Sequence, residues 1–157
     1  MFLNWLYTVL TEIGIDFNAF LNDKNERIKA QKYCYILNKF YNLPINGTFS
    51  LYINGPYNSK LADTLYSITR KKVTINTVEI DENLRGVINR ITAIFPANNP
   101  NIVNILEIYT TYDFIANHYP NWTDEQRYNE LQHLKGHLPE FNNIVNNLAS
   151  YQQGLAV

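Results

Sequence analysis

A chain of 157 residues has the length of one domain, and its hydrophobic share of 46% and aromatic share of 14% exclude wholesale disorder. No apolar run approaches the roughly 18 residues that a membrane span needs, so no transmembrane helix is predicted. The net charge of −1 provides no general attraction to nucleic acid or to an anionic membrane. The first residues lack the basic and apolar segments of a secretion signal, which predicts a cytoplasmic location.

Charge is unevenly distributed along the sequence. Residues 1–72 contain nine Lys and Arg against five Asp and Glu, whereas residues 73–157 contain four against nine. Two binding faces of opposite sign would explain this difference, and so would attraction between the two halves within the fold. The second interpretation is preferred, because charge differences of this size arise on ordinary surfaces.

The first half of the chain combines helical and strand patterns. Apolar residues spaced by three and four predict a helix that Gly14 closes, and Asp23 with Glu26 three residues later resembles a capping box. Gly55 and Pro56 predict a tight turn, because a proline cannot donate a ladder hydrogen bond. The predicted elements are, in order, helix 2–13, helix 23–41, strand 49–53, a short helix capped by Asn58 or Ser59, and strand 73–78.

The second half is predicted to be helical. Asp81 and Glu82 begin a helix that ends near residue 95, and a segment flanked by prolines at 96–100 is the clearest internal break. Three helical patterns follow, over residues 102–119, residues 123–134 with Thr123 as cap, and residues 139–151 with proline in the first turn. The sequence predicts a helix-dominated α+β fold with about six helices around a short two-stranded β element. We expect one domain, in which residues 101–157 pack on a core formed by residues 1–95.

Residues suited to catalysis are sparse. Cys34, the only cysteine, lies in an apolar helical stretch where a thiol behaves as a core residue. Glu130, His133 and His137 have a spacing that allows metal ligation from one helix face. Leu134, however, stands where a zinc protease needs glutamate, which favours a structural role. No phosphate-binding loop or nucleophile motif occurs. We therefore expect no enzymatic activity, no cofactor and no metal, and a metal-dependent enzyme is the least favoured alternative.

Basic residues gather around the second and third predicted helices. Helix, turn and helix followed by a strand and a basic end are compatible with a winged-helix arrangement, in which Lys and Arg follow phosphates while a helix enters the major groove. Basic side chains also cover apolar surface, and no cluster on one helix face is suited to reading bases. DNA binding is therefore the alternative and not the main prediction. The basic set is Lys24, Arg27, Lys29, Lys32, Lys60, Arg70, Lys71 and Lys72.

Two segments resemble known families. Residues 27–37, RIKAQKYCYIL, and residues 49–62, FSLYINGPYNSKLA, resemble the YwgA-like family of small prokaryotic proteins, which pairs an R-x-x-x-Q-K-x-x-Y-x-L helix with a strand running into G-P-Y-S. Asn58 stands between Tyr57 and Ser59 here, a departure that helix capping tolerates. The likeness extends over about residues 1–150. The YwgA-like family is in turn distantly similar to the Panacea or SocA-type antitoxin domain. That resemblance implies a module that binds another protein, neutralising a toxin or delivering it to a protease, and it supplies no catalytic residue.

The segment after the first predicted strand is the predicted binding surface. As a rigid exposed turn it would present Tyr57 as an apolar anchor, while basic side chains steer an acidic partner. We expect a protein partner for an antitoxin-like or regulatory adaptor module, with DNA as the alternative and no membrane; homo-oligomers are left open. The predicted partner-binding residues are Gln31, Lys32, Gly55, Pro56, Tyr57, Lys60, Arg70, Lys71 and Lys72.

Overall fold

The computed structural model describes residues 2–70 and 74–156. Over these residues it contains eight helices and one two-stranded antiparallel sheet, which confirms the predicted helix-dominated α+β class. The elements are α1 (Phe2–Ile13), α2 (Lys24–Tyr41), β1 (Ser50–Tyr52), β2 (Gly55–Tyr57), α3 (Ser59–Thr69), α4 (Glu82–Ile94), α5 (Ile102–His118), α6 (Asp124–Lys135), α7 (Phe141–Asn146) and α8 (Leu148–Leu155).

Helices begin at the capping residues that the sequence indicates. The Asp23 side chain accepts the Asn25 N–H at the start of α2, and Thr123 forms a complete capping box with Gln126 at the start of α6. The capping box predicted for α2 is wrong in its second half, in which the Glu26 side chain would accept the Asp23 N–H. The Glu26 carboxylate turns toward the connection after α1, where it accepts the Asp16 N–H at 3.2 Å. This contact ties the connection to α2.

The core is built around α2 and α5. Both helices are buried over most of their circumference: residues 30–37 of α2 and residues 105–111 of α5 are all buried. A helix that is buried on all sides lies at the centre of a domain. One hydrophobic cluster includes residues from both halves of the chain, and Tyr33 of α2 donates a hydrogen bond to the Phe95 carbonyl at 2.7 Å.

The sheet differs from its predicted position. Gly55 and Pro56, predicted as a turn, lie in β2, which pairs with β1 so that Leu51 faces Pro56 and Tyr52 faces Gly55. Two residues, Ile53 and Asn54, connect the strands into a hairpin. Both strands of a two-stranded sheet are edge strands. An edge strand tolerates a residue such as Pro56 that has no backbone N–H to donate.

The predicted second strand over residues 73–78 is wrong for the part that the structure describes, and Val73 lies outside the described residues. Residues 74–80 form no helix or strand. Their alternating pattern reflects attachment to α1 instead: the Asn76 N–H donates to the Asn4 side chain and the Val78 N–H to the Thr8 hydroxyl, both at 3.0 Å.

The last predicted helix is two helices. Glu140 has a left-handed backbone with φ of 63°, so α7 begins after it and Pro139 is not in the first turn. Asn147 separates α7 from α8. The break turns α8 toward α4, where a Cβ added to Gly154 would lie 2.8 Å from the Ile94 Cδ1 atom. The glycine therefore permits close approach of these two helices.

Candidate functional site

Two buried lysines hold the hairpin from inside the molecule. Lys32 of α2 donates from Nζ to the Pro56 carbonyl at 2.8 Å, and Lys135 of α6 donates from Nζ to the Ile53 carbonyl at 2.5 Å. Between them Glu107 of α5 is buried, with its Oε1 atom 3.4 Å from Lys135 Nζ. We call Lys32, Glu107 and Lys135 the lysine anchor. It supplies charge-assisted donors to carbonyls that a three-residue strand pair leaves without a ladder partner.

The environment of Lys32 changes its protonation. Burial lowers the pKa of Lys32 from 10.5 to about 7; the Glu107 charge opposes this shift and the Lys135 charge adds to it. The amine still donates to the Pro56 carbonyl when it is neutral, because an uncharged amine retains N–H groups. The contact that positions β2 is therefore available on both sides of neutral pH.

Gln31 and Asn58 connect the hairpin to the helices on either side. The Gln31 side chain donates to the Asn58 carbonyl and accepts the Asn58 N–H, each at 3.0 Å. The Asn58 side chain caps α3 by accepting the Leu61 N–H at 3.0 Å and donates to the Asn46 carbonyl at 2.7 Å. All these groups are partnered within the fold, so Gln31 and Asn58 fix the point at which the hairpin becomes α3.

Gly55 brings the hairpin backbone against α5. Its φ is +90°, a conformation that favours glycine, and a Cβ at this position would lie 2.8 Å from Thr111 Oγ1 and 3.3 Å from Lys32 Cε. Any side chain would push β2 away from the lysine anchor. The glycine therefore sets the distance at which both lysines reach their carbonyls.

The outer surface of the hairpin is apolar and exposed. Ile53 is 88% exposed, Tyr52 61% and Tyr57 36%, and the two tyrosine rings meet edge to face with centroids 5.4 Å apart. We call these three residues the apolar tip. Burying such side chains is favourable, so leaving them together in water has a cost that contact with another molecule would remove.

A cavity of about 340 Å³ lies beside the apolar tip, between the hairpin, α2 and α3. The volume is in the range of ligand pockets in proteins. Lys24 and Arg27 of α2 border it, and Arg27 donates hydrogen bonds to the carbonyls of Phe20 and Leu21 at 2.8 and 3.0 Å. Within the described part of the chain, no carboxylate lines the cavity. Its apolar lining includes Phe20, Ile28, Ala62, Leu65 and Tyr66.

The predicted partner-binding residues divide into groups. Gln31, Lys32, Gly55 and Pro56 are buried. Tyr57 is partly exposed, and Gln31, Lys32, Gly55 and Tyr57 contribute to the cavity lining. Lys60 and Arg70 are exposed and outside the lining, with Arg70 packed 5.0 Å over the Tyr66 ring. Lys71 and Lys72 lie outside the described residues.

The rigid exposed turn predicted at residues 55–57 therefore needs correction. The exposed turn is formed by Ile53 and Asn54, while Gly55 and Pro56 are covered. The exposure of Ile53 was missed because Ile53 ends the predicted strand 49–53, in the same alternating apolar set as Phe49 and Leu51. An Asn-Gly pair is a strong hairpin signal, so Asn54-Gly55 could have located the hairpin, although the turn itself begins one residue earlier, at Ile53.

Other candidate chemistry is placed apart from this site. Among the residues that the structure describes, no group of three or more His, Cys, Asp or Glu is arranged to hold a metal ion; His133 and His137 are exposed. Cys34 is fully buried, and burial raises the pKa of its thiol far above the ordinary value. In the described ranges, none of the helices combines the length and apolar character that crossing a bilayer requires.

Comparison with known proteins found no matching family model, no matching curated protein and no matching solved structure.

Proposed function

We propose that the chain is a non-enzymatic module that binds another protein through the apolar tip and the neighbouring cavity. The observation that carries the proposal is the exposure of Ile53, Tyr52 and Tyr57 together on a hairpin whose backbone is fixed from inside. Of the five large hydrophobic side chains that are exposed in the described part of the chain, three belong to this tip.

Rigidity is the second argument. A partner that binds a mobile loop must order it, whereas the lysine anchor and Gln31 already fix this hairpin in one conformation. Aromatic side chains with partly exposed rings are the residue type that most often anchors protein interfaces. The tip offers two of them beside an exposed isoleucine.

The sequence resemblance supports the same class of function. The residues that resemble the YwgA-like and Panacea or SocA-type families include Gln31, Lys32 and the Gly55-Pro56-Tyr57 segment. In this fold they form and anchor the hairpin. Proteins with the Panacea or SocA-type domain act by binding another protein, so we propose an antitoxin-like or regulatory adaptor role.

The test is affinity purification from cells that carry the native gene, with mass spectrometry of co-purifying proteins. The variants are Ile53→Ser and Tyr57→Ala. Tyr119→Ala is the matched control, because Tyr119 is also a partly exposed tyrosine (45%) but lies at the end of α5. Circular dichroism establishes that each variant is folded.

We expect a stoichiometric partner with the wild type and with Tyr119→Ala, and its loss with Ile53→Ser and Tyr57→Ala. Retention of every specific partner by the Ile53→Ser/Tyr57→Ala double variant would contradict the proposal, as would the absence of any partner. Binding of duplex DNA that weakens steeply with salt and is indifferent to these substitutions would instead favour a DNA-binding regulator.

A further inference from the structure

We infer that the partner segment which binds here is acidic and amphipathic, with an apolar side chain that enters the hairpin cavity and carboxylates that face Lys24 and Arg27. This inference rests on the proposed function and adds the chemistry of the partner.

The first argument is charge complementarity. Within the described residues, the side chains that line the cavity include the cations Lys24 and Arg27, the buried Lys32, whose Nζ donates to the Pro56 carbonyl, and no carboxylate. Arg70, stacked on the Tyr66 ring, adds a further cation next to a residue of the lining. A basic rim around an apolar floor is complementary to a ligand that combines negative charge with apolar surface.

The second argument concerns the size of the occupant. A small carboxylate would occupy only part of a cavity of about 340 Å³. Ile53 contributes to the lining but is 88% exposed, so most of its side chain would remain in water. A peptide segment can place one side chain in the cavity and continue across Tyr52 and Ile53. Apolar surface both inside and outside the cavity therefore favours a polypeptide.

The third argument is that Lys24 is free to contribute. It is exposed in the first turn of α2, where a cation is unfavourable for the helix dipole. Arg27, by contrast, holds the carbonyls of Phe20 and Leu21 and so has a structural use. An acidic partner would neutralise Lys24 at a place where the helix itself does not favour a positive charge.

The experiment is selection of random 12-residue peptides displayed on phage against the immobilised full chain, followed by fluorescence anisotropy with the enriched peptides. The key variant is Lys24→Glu. Lys60→Glu is the matched control. The sequence predicts Lys60 as a partner-binding residue, but it lies outside the cavity lining, exposed in the first turn of α3, and its substitution changes the net charge by the same amount. Ala62→Met, which fills the cavity from α3, tests insertion of a side chain.

We expect enriched peptides that carry several Asp or Glu around an aromatic or aliphatic anchor. Their affinity should fall about 5–10-fold with Lys24→Glu and with high salt, and less than about twofold with Lys60→Glu. Ala62→Met, with folding checked by circular dichroism, should weaken the same peptides. No enrichment, enrichment of basic or uncharged peptides, or equal effects of Lys24→Glu and Lys60→Glu would overturn the inference.

Two further arms separate this inference from its alternatives. Peptides that lose binding with Ile53→Ser but not with Lys24→Glu would leave the proposed function standing and overturn the acidic partner. Peptides whose affinity is unchanged by Ile53→Ser and by Lys24→Glu would contradict both the proposed function and the acidic partner. Sedimentation with vesicles of phosphatidylcholine and phosphatidylserine tests whether the site binds a lipid surface. If Lys24→Glu abolishes vesicle binding and no acidic peptide binds, the partner is a membrane surface and the inference of an acidic peptide is overturned.

Discussion

At the hairpin, backbone carbonyls meet buried ammonium groups, whereas α1, α4 and α8 meet through apolar side chains packed closely together. In the second region, Gly14 lies against Ala97 and Gly154 against Ile94, at distances where an added Cβ would overlap. Charge in that region lies at the surface, where Arg85 pairs with Glu12 at 3.0 Å. The buried apolar side chains of this region include Leu6, Leu10, Ile88, Ile91 and Leu155.

The two regions differ because their backbones differ in how far they satisfy their own hydrogen bonds. Helices satisfy their own backbone and need only apolar contact, which contributes about 1.5–3 kcal/mol for each fully buried large side chain. A hairpin of two three-residue strands cannot satisfy its outer carbonyls, and it has little apolar surface to bury. Buried charges contribute less net stability than apolar packing, but they define position. The hairpin is thus fixed in place at the expense of stability.

The largest expected effect on stability comes from removing a carboxylate charge, which should be costly beneath the hairpin and nearly neutral at the surface of the other region. Glu107→Gln leaves two buried lysines without their carboxylate, so we expect it to lower the free energy of unfolding by about 3–5 kcal/mol. Glu12→Gln, which breaks the exposed pair with Arg85, should cost about 0–1 kcal/mol. Urea denaturation measures both. Equal losses would show that the lysine anchor is no more important than a surface ion pair.

A glycine in each region provides the next comparison. Gly55→Ala places a Cβ at φ of +90° and 2.8 Å from Thr111 Oγ1, and we expect a loss of about 2–4 kcal/mol. Gly86→Ala lies in α4 with open space around its Cβ and should gain about 0.5–1 kcal/mol, since alanine favours the helix. Thermal unfolding followed by circular dichroism distinguishes the signs. A neutral Gly55→Ala would mean that the hairpin is not held against α5.

The smallest effect is a dependence of stability on pH near neutrality, which arises from Lys32 beneath the hairpin. Between pH about 7 and 10.5 the unfolded chain keeps a proton on Lys32 that the folded chain releases, so stability rises with pH. We expect a gain of about 1–2 kcal/mol from pH 7 to about 8.5, before Cys34 and the buried tyrosines begin to oppose it.

The control for this pH dependence is Lys32→Met, which removes the titrating amine but keeps a long side chain facing Glu107 and Lys135. Its free energy of unfolding should be nearly constant over the same interval. Urea denaturation at each pH measures both proteins. A slope that persists in Lys32→Met would assign the effect to another group.

The parts of the fold that depend on neighbouring residues were predictable from sequence. Asp23, Asn58 and Thr123 cap the helices predicted for them, because a cap needs only the next few residues. The second strand was not predictable in this way. Residues 74–80 alternate like a strand, yet the N–H groups of Asn76 and Val78 donate to Asn4 and Thr8 of α1, which are distant in sequence.

The candidate site was predictable in its location but not in its arrangement. The Gly55-Pro56-Tyr57 segment marks the hairpin, and Tyr57 lies on its surface. Lys32 was grouped with surface cations because lysine is rarely buried. Its burial requires Glu107 and the hairpin carbonyls, which come from distant parts of the chain. Long-range polar partners of this kind leave no periodic signal in the sequence.

The single cysteine allows the separation of α2 from the rest of the core to be measured by thiol labelling. Cys34 lies at the centre of α2, two residues after Lys32, with no exposed surface and a thiol that resists ionisation. A thiol-reactive dye can reach it only when α2 separates from its neighbours. Because the chain has one cysteine, the labelling rate follows one event, and a bound molecule that clamps the hairpin onto α2 would slow it without any engineered probe.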